Sequence, residues 1–183
     1  MRAHFAEQPI AYTGEQLRSL WIYRRFAIVG DAIVGFVGPC DVAGERLVDQ
    51  VDAAGGDSIK AASMLHLIVE HFEGDLRQAV LSQRLLVCIA WELLAREVQD
   101  LRREGDDLFV DDRKLSVSIA TVSPVSALIH LGLNVDPAGA PVAACGLGEL
   151  GIEARGFAER LMAAYVAEVE SMEQARCTVR SVP

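Results

Sequence analysis

The sequence predicts an α+β fold in which a mixed, largely antiparallel sheet is covered by long helices. Residues 105–135 hold apolar runs separated by turn residues, a pattern typical of consecutive antiparallel strands. Residues 76–103 and 152–176 are long and amphipathic, with apolar side chains at helical spacing. Because 183 residues suffice for one sizeable core, we interpret residues 1–183 as a single domain.

The composition of the chain argues against several classes of function. The formal net charge is −9 at pH 7, and the arginine pairs at residues 24–25 and 102–103 form no basic stripe, so we expect no nucleic-acid partner. No apolar run approaches the length of a membrane span, so we expect no membrane partner. Apolar residues make up 51% of the chain, above the usual share, which predicts a homo-oligomer.

The cysteines and the N-terminal residues predict the cellular compartment of the protein. Four cysteines, at positions 40, 88, 145 and 177, lack the close spacing of a metal-binding CxxC motif. Residues 1–10 contain charge and proline and do not resemble a signal peptide. Together these features predict a cytoplasmic protein with reduced thiols.

The first part of the chain is predicted to hold a helix and a hairpin. Residues 15–26 have helical spacing, and Thr13 is a candidate N-cap. Gly30-Asp31 lies between two apolar runs, residues 27–29 and 32–37, a pattern typical of a tight hairpin. We expect Gly38-Pro39 to end the second of these strands.

Cys40 then follows at the expected end of a strand, where sites are commonly built. One interpretation makes it a nucleophile. The other makes it a buried, inert thiol beside an Asp that caps the next segment. A glycine loop, Gly55-Gly56-Asp57, is either a surface turn or a mobile cover over a pocket.

Residues 61–72 fit either a strand or a helix, and both readings bring His66 and Glu70 to the same side. We favour the strand, since Gly74 ends it and a strong helix follows. A hydrogen-bonded His66–Glu70 pair is expected there. A metal site that adds His71 and His130 is the weaker alternative, because the spacing is not HExxH, and we predict no metal ligand.

The helix of residues 76–103 is the clearest predicted element, with Asp75 as its N-cap. Arg84 lies near the margin of its apolar stripe and could reach Glu70 or Asp107. The stripe is predicted to contain Leu81, Leu85, Cys88, Ile89, Glu92 and Leu93.

The strand that begins at Lys114 is predicted to form a ligand cleft. Its residues alternate, so Leu115, Val117 and Ile119 are expected to face a core, and Lys114, Ser116 and Ser118 to face a cavity. A lysine beside small polar residues can present its charge to a carboxylate or phosphate. Pairing of Lys114 with a nearby aspartate in a surface turn is the alternative.

This region resembles the core of biotin protein ligases. GDDLFVDDRKLSVSIAT at residues 105–121 and ALIHLGLNV at residues 127–135 are similar to their Asp-Leu strand, Lys-Leu strand and Gly-x-Asn ending. The lysine falls on Lys114, the aspartate on Asp107 and the asparagine on Asn134. Lipoate ligases share that fold and lysine. The resemblance implies a ligase-type catalytic fold, with a lysine that stabilises the acyl-adenylate.

Two features depart from the ligase pattern. The usual Trp-Pro-Asn is replaced by residues 104–106, Glu-Gly-Asp, and no arginine-glycine phosphate loop precedes it. Over its whole length the chain is identified as a member of the domain of unknown function family 366. The shared marks are GPCDV from residue 38, HLIVEHF from residue 66, QRLL from residue 83 and KLSVSIAT from residue 114. No activity is established for that family.

We therefore expect a transferase or ligase that acts on a small carboxylate or acyl substrate in a lysine-containing cleft. Lys114 would stabilise the anion, and Cys40 would serve as nucleophile if no nucleotide takes part. The alternative is a non-enzymatic, small-molecule-binding or oligomer-forming module on the same fold. The sequence identifies no cofactor. The expected substrate-binding residues are Asp107, Ser116, Ser118, Asn134, His66 and Glu70.

Overall fold

The computed structural model describes residues 1–182, which contain eight strands and four α-helices. The helices are α1 (Trp21–Phe26), α2 (Gln50–Gly55), α3 (Leu76–Leu94) and α4 (Ala154–Thr178). The strands are β1 (Arg2–Phe5), β2 (Ala32–Ala43), β3 (Ser58–His71), β4 (Leu101–Glu104), β5 (Asp107–Val110), β6 (Arg113–Lys114), β7 (Ser116–Val122) and β8 (Ala127–Asp136). None of the helices within residues 1–182 is long and apolar enough to cross a bilayer.

The strands form two sheets. The larger has the order β1-β2-β3-β8-β7, and all its pairs are antiparallel except β1–β2. The smaller has the order β4-β5-β6 and is antiparallel. The predicted fold class is therefore confirmed: a mixed, largely antiparallel sheet is covered by the long helices α3 and α4.

The larger sheet separates two cores, because successive side chains of a strand point to opposite faces. On β3, Leu65 and Leu67 pack with α3 and α4. Met64 and Ile68 of the same strand pack on the other face with Trp21 of α1. We call these the helix-side core and the N-terminal core. The strand reading of residues 61–72 is thereby confirmed, and His66 and Glu70 do share a face.

The predicted helix of residues 15–26 is wrong in extent, since only α1 is helical. Thr13 N donates to Gln16 Oε1 at 3.0 Å, so half of a capping box forms without an α-helix to cap. Leu20 has a left-handed φ of 61°, and its N–H donates to the buried Glu70 carboxylate at 2.7 Å. This hydrogen bond fixes the backbone just before α1. Its two residues are fifty positions apart in the chain, so the local sequence pattern could not predict it.

The predicted hairpin around Gly30-Asp31 is also wrong. Residues 27–29 form no strand, and β2 instead pairs with β1 and β3. Gly38-Pro39 does not end β2, which bulges between Gly38 and Cys40 and continues to Ala43. The backbone carbonyl of Ile10 occupies the position that a Cβ on Gly38 would need. Cys40 thus lies within a strand and not at its end.

Helix α3 begins as predicted and ends earlier. The Asp75 side chain accepts from Gln78 N at 2.9 Å, which confirms the N-cap. The helix stops at Leu94, and residues 101–104 form β4. The predicted stripe is wrong at Leu81, which is 61% exposed, whereas Ile89 is buried and Leu85 and Leu93 pack against the helix-side core. The buried face contains Ala79, Gln83, Leu86, Val87, Ile89, Ala90 and Leu94.

The strand predicted from Lys114 onward is interrupted at Leu115. Lys114 pairs with Phe109 in the smaller sheet, whereas Ser116 pairs with Leu133 in the larger sheet. Leu115 lies between the two ladders, and its side chain is fully buried in the helix-side core. The alternation of side chains is therefore broken at Leu115, so the faces of β7 do not follow from the alternation that begins at Lys114.

As a consequence, the predicted faces of β7 are reversed. Ser118 Oγ accepts a hydrogen bond from Gln83 of α3 at 2.7 Å, and Ala120 belongs to the helix-side core. Val117 and Ile119 point to the opposite face, where Ile119 pairs with His130. The sequence could not reveal this reversal. The unpaired residue Leu115 moves every later side chain of the strand to the opposite face, and the sequence does not mark it as unpaired.

A polar chain links the larger sheet to α4. The Asp31 carboxylate accepts from Phe72 N at 2.9 Å and lies 3.0 Å from His71 Nδ1. His71 Nε2 lies 3.0 Å from the Tyr165 hydroxyl on α4. The hydrogen bond from His71, more than any other contact, lowers the pKa of Asp31.

We predict that Leu131→Ala is far more destabilising than Ile119→Ala. Leu131 is fully buried in the helix-side core, so its truncation should cost about 2–5 kcal/mol. Ile119 is only partly buried on the other face, so we expect about 1 kcal/mol. Urea unfolding of both variants measures the difference. An equal or greater loss for Ile119→Ala would contradict the assigned faces.

We also predict that Asp31 stabilises the fold in a pH-dependent way. Its folded pKa lies below its unfolded value of about 3.9. The stabilisation is therefore complete above that value and is lost as the pH falls through the folded pKa. Asp31→Asn should lower Tm by a few degrees at pH 7, and the gap to the wild type should close in acid. Asp112→Asn, at a fully exposed side chain, should show no gap at either pH.

Candidate functional site

A cavity of about 480 Å³ lies on the sheet face that carries Val117, Ile119 and His130. The smaller sheet contributes Asp107 and Lys114 to its wall. The remaining walls come from residues 42–60, which include α2, and from residues 140–144. The cavity is thus enclosed by segments that are distant in the sequence.

Lys114 and Asp107 form an ion pair in this wall, with Nζ 2.8 Å from Oδ2. Each side chain is 29% exposed. Burial raises the pKa of Asp107, and the hydrogen bond and charge of Lys114 oppose that rise. The alternative interpretation paired Lys114 with a nearby aspartate such as Asp112 or Asp106, and the structure shows Asp107 as the partner.

The main chain of Lys114 is held on both sides. Its N–H donates to Ala143 O at 2.9 Å, and its carbonyl accepts from Cys145 N at 3.1 Å. The side chain of Asn134 donates to the same carbonyl at 3.2 Å. Asn134 therefore lines the cavity and also positions the lysine.

Asp106 points to α3, away from the Lys114–Asp107 pair. Its carboxylate lies 3.1 Å from Arg84 and accepts from Gln83 Nε2 at 2.8 Å. The hydroxyl of Ser118 donates to the same carboxylate at 3.1 Å. Arg84 therefore pairs with Asp106 and not with Glu70 or Asp107. Ser118 touches the cavity, but its hydroxyl is engaged with the helix.

Four of the predicted site residues do not line the cavity. Ser116 is buried, and its hydroxyl accepts from Leu108 N at 2.9 Å. Glu70 is buried and accepts from Ser126 Oγ and Leu20 N, both at 2.7 Å. His66 bonds to His130 and not to Glu70, so the predicted His66–Glu70 hydrogen bond is absent.

Cys40 is the fourth of these residues. Its side chain is buried in the N-terminal core, with Sγ 3.8 Å from Ile59 O. Burial raises the pKa of its thiol to about 12. A neutral thiol in an apolar core is inert, so this environment matches the buried-thiol interpretation rather than the nucleophile.

Several residues that line the cavity were not predicted from the sequence, and Lys60 is one that the sequence could have indicated. The sequence contains only two lysines, Lys60 and Lys114, among 17 basic residues. Both line this cavity. Comparing the counts of lysine and arginine would have drawn attention to Lys60. Tyr12 also lines the cavity and gave no signal in the sequence.

The cavity wall carries more carboxylates than cations. Burial, and then the neighbouring carboxylates of Asp49 and Asp57, raise the pKa of Asp52. Asp57 belongs to the glycine loop, which therefore borders the pocket. The charged lining residues are Arg46, Lys60, Lys114, Asp49, Asp52, Asp57, Asp106 and Asp107. Within residues 1–182, no three His, Cys, Asp or Glu side chains are grouped as a metal site.

The rings of Tyr12 and His130 line the inner end of the cavity, and the buried His66 packs against both without lining it. Tyr12 stacks on His130, with ring centroids 3.9 Å apart, and on His66 at 4.9 Å. His66 Nδ1 lies 3.1 Å from His130 Nε2. His66 belongs to β3 and His130 to the neighbouring strand β8, so the stack lies over these two central strands.

Known structures with low sequence identity share this fold. A biotin protein ligase variant from Aquifex aeolicus in complex with biotin superposes with a TM-score of 0.61 and 12% identity, over 95% of this chain and 72% of that chain. A putative lipoate protein ligase from T. acidophilum with bound lipoic acid gives a TM-score of 0.61 and 10% identity, over 91% and 86%. At these identities the likeness is one of fold alone.

A closer similarity is to a protein of unknown function from Pyrococcus horikoshi. It shares 44% identity and superposes with a TM-score of 0.95, over 100% of this chain and 99% of that chain. The family model described as a domain of unknown function, DUF366, matches residues 1–180. This chain therefore belongs to the DUF366 family, whose fold is that of biotin and lipoate ligase catalytic domains.

Proposed function

We propose that this protein is a transferase or ligase that acts on a small carboxylate or acyl compound bound in the cavity. Lys114 stabilises the anion in this proposal, and Asp107 and Asn134 hold the lysine in position. The observation that carries the proposal is the Lys114–Asp107 ion pair, at 2.8 Å, in the wall of a cavity large enough for a small molecule.

The environment of Lys114 supports a role in binding. An ammonium group has three donors, so it can keep Asp107 and still bind a ligand carboxylate. Its fixed main chain limits the conformational freedom that a ligand would have to remove. In addition, a partly buried charge pair is less screened by solvent than one at the surface.

The cavity lining favours a single carboxylate over a polyphosphate. Five aspartates and three basic residues line it, so a highly charged anion would meet net repulsion. Met64, Val117 and Ile119 supply an apolar wall for the body of an acyl compound. Biotin and lipoic acid, which the neighbouring structures hold, are carboxylic acids with apolar bodies.

The alternative function is binding without catalysis. Cys40 is buried in the N-terminal core, and none of the four cysteines is among the described residues that line the cavity. Covalent transfer would then need an acceptor other than a cysteine. Intact-mass spectrometry of the protein purified under native and denaturing conditions separates the two functions. A covalent acyl adduct supports the transferase, and an unmodified, releasable ligand favours the binding module.

We also propose a cytoplasmic homo-oligomer. The four cysteines form no disulfide, which suits a reducing compartment. Leu81 of α3 is 61% exposed, and Val122 and Val125 are exposed at the end of β7, which is an edge strand. We expect light scattering to give a mass of at least twice 19.8 kDa at micromolar concentration. A stable monomer of 19.8 kDa would contradict the proposal.

We predict that Lys114→Met weakens the binding of carboxylic acids, while Lys60→Met, at the other cavity lysine, has a smaller effect. Lys60 is 50% exposed and lies 3.7 Å from Asp41, so its charge is already screened and paired. A lost charge-assisted hydrogen bond of about 1.5–3 kcal/mol raises Kd by a factor of roughly 10–150. Calorimetric titration with lipoic acid, biotin and octanoic acid measures this.

The double variant Lys114→Met/Asp107→Asn separates binding from stability. Lys114→Met alone leaves a half-buried carboxylate unpaired, so Tm should fall. Removing both charges should restore Tm but not the binding of acids. Unchanged affinity in Lys114→Met, or a wild type that binds none of the three acids, would overturn the proposed role.

A further inference from the structure

His130 lines the cavity and pairs with the buried His66, and the hydrogen bonds of both rings can be assigned from one backbone carbonyl. His66 Nε2 lies 3.3 Å from the backbone carbonyl of Gly38, and a carbonyl can only accept. The proton of a neutral His66 is therefore on Nε2. Its Nδ1 is then an acceptor, and it lies 3.1 Å from His130 Nε2.

The assignment passes from His66 to His130. Because His66 Nδ1 accepts, His130 Nε2 must carry the proton that lies between the two rings. A neutral His130 then has no proton on Nδ1. This nitrogen is therefore a hydrogen-bond acceptor with a free lone pair.

The surroundings keep both rings neutral. Burial, more than any other cause, lowers the pKa of His66 to about 3 and holds that of His130 well below its ordinary value. Tyr12 stacks on both rings, and Phe36 stacks on His66. The carboxylate on the same face, Glu70, bonds to Leu20 and Ser126 and not to either ring.

Two polar atoms at this end of the cavity have no partner among residues 1–182. They are Nδ1 of His130, a residue 2% exposed, and the hydroxyl of Tyr12, a residue 3% exposed. No side-chain nitrogen or oxygen that is sealed from solvent within residues 1–182 lacks a hydrogen bond. An atom without a partner is therefore not sealed from solvent, and both residues line the cavity. Polar atoms of buried residues are nearly always hydrogen bonded, so two such atoms without a partner beside a cavity indicate a place where a ligand binds.

We propose that His130 Nδ1 and the Tyr12 hydroxyl together bind a neutral amide-type group of the ligand. His130 Nδ1 accepts from the ligand N–H, and the Tyr12 O–H donates to the ligand oxygen. Burial raises the pKa of Tyr12, so this hydroxyl stays protonated and available as a donor. The stacked rings at 3.9 Å bring the two groups to the same ligand.

This subsite is separate from Lys114. His130 and Asn134, which contacts the Lys114 carbonyl, lie four residues apart on β8, or about 13 Å at the usual rise per residue. A ligand that spans both ends is therefore elongated, with a carboxylate near Lys114 and an amide-type group at the rings. The inference rests on the proposed small-molecule cavity but not on the carboxylate.

The test uses two isosteric probes without a carboxylate, δ-valerolactam and δ-valerolactone. They differ by one N–H, which only the lactam can donate to His130. We expect the lactam to bind wild-type protein roughly fivefold more tightly, the factor that one net hydrogen bond of about 1 kcal/mol supplies. Because the chain has four histidines, their ring nitrogen NMR signals can be assigned by single substitutions. The lactam should shift His130 Nδ1, and the lactone should not.

Two substitutions of His130 provide a matched control. His130→Gln retains an amide that can donate to His66 but lacks an acceptor at the Nδ1 position, so it should lose the preference for the lactam. His130→Asn places its amide oxygen near the Nδ1 position and should retain it. Tyr12→Phe should weaken the binding of both probes. If a variant does not fold, the comparison of the two probes on wild-type protein still decides.

Several outcomes would overturn the inference. They are equal binding of the two probes, a proton on His130 Nδ1 in the free protein, or a lactam preference that survives in folded His130→Gln. Failure of this inference can be told apart from failure of the proposed function, because acid binding, tested with Lys114→Met, and lactam binding are measured separately. If acids do not bind to wild-type protein but the lactam still shifts His130 Nδ1, the carboxylate assignment fails and this subsite stands.

Discussion

Residues 114–116 connect the two sheets, and the candidate site depends on how that connection is fixed. Lys114 ends the smaller sheet and Ser116 begins a strand of the larger one. Leu115 N donates to Leu108 O at 2.8 Å, and its carbonyl accepts from Asn134 N at 2.9 Å. A residue bonded to both sheets cannot slip in register. The lysine before it is therefore held in the wall between them.

The two faces of the larger sheet serve different purposes. The helix-side face is apolar, packs against α3 and α4, and supplies most of the burial that stabilises the fold. The other face carries His66, Glu70 and His130, each of which is buried and hydrogen bonded. Burying such groups is costly unless their partners are fixed. That requirement accounts for the ordered segment around Tyr12 and Leu20, which covers this face.

This chain shares its fold with biotin and lipoate ligases, and its cavity has its own set of charged lining residues. The neighbouring ligase structures show what this architecture can hold, yet this chain lacks the arginine-glycine loop and lines its cavity with five aspartates. Two lysines face those carboxylates. Function within one fold depends on such side chains and not on the backbone.

The sequence by itself determined the fold class, the N-cap of α3, the existence of both long helices and the strand that carries His66 and Glu70. These features follow from local periodicity and capping, which depend on neighbours in the chain. It also singled out Lys114, Asp107, Ser118 and Asn134, all of which line the cavity. Only the tertiary structure decided the faces of β7, because Leu115, although bonded to both sheets, has no paired residue in either and breaks the alternation of side chains. It also decided that Cys40 is buried and that His66 bonds to His130, since those contacts join strands distant in sequence.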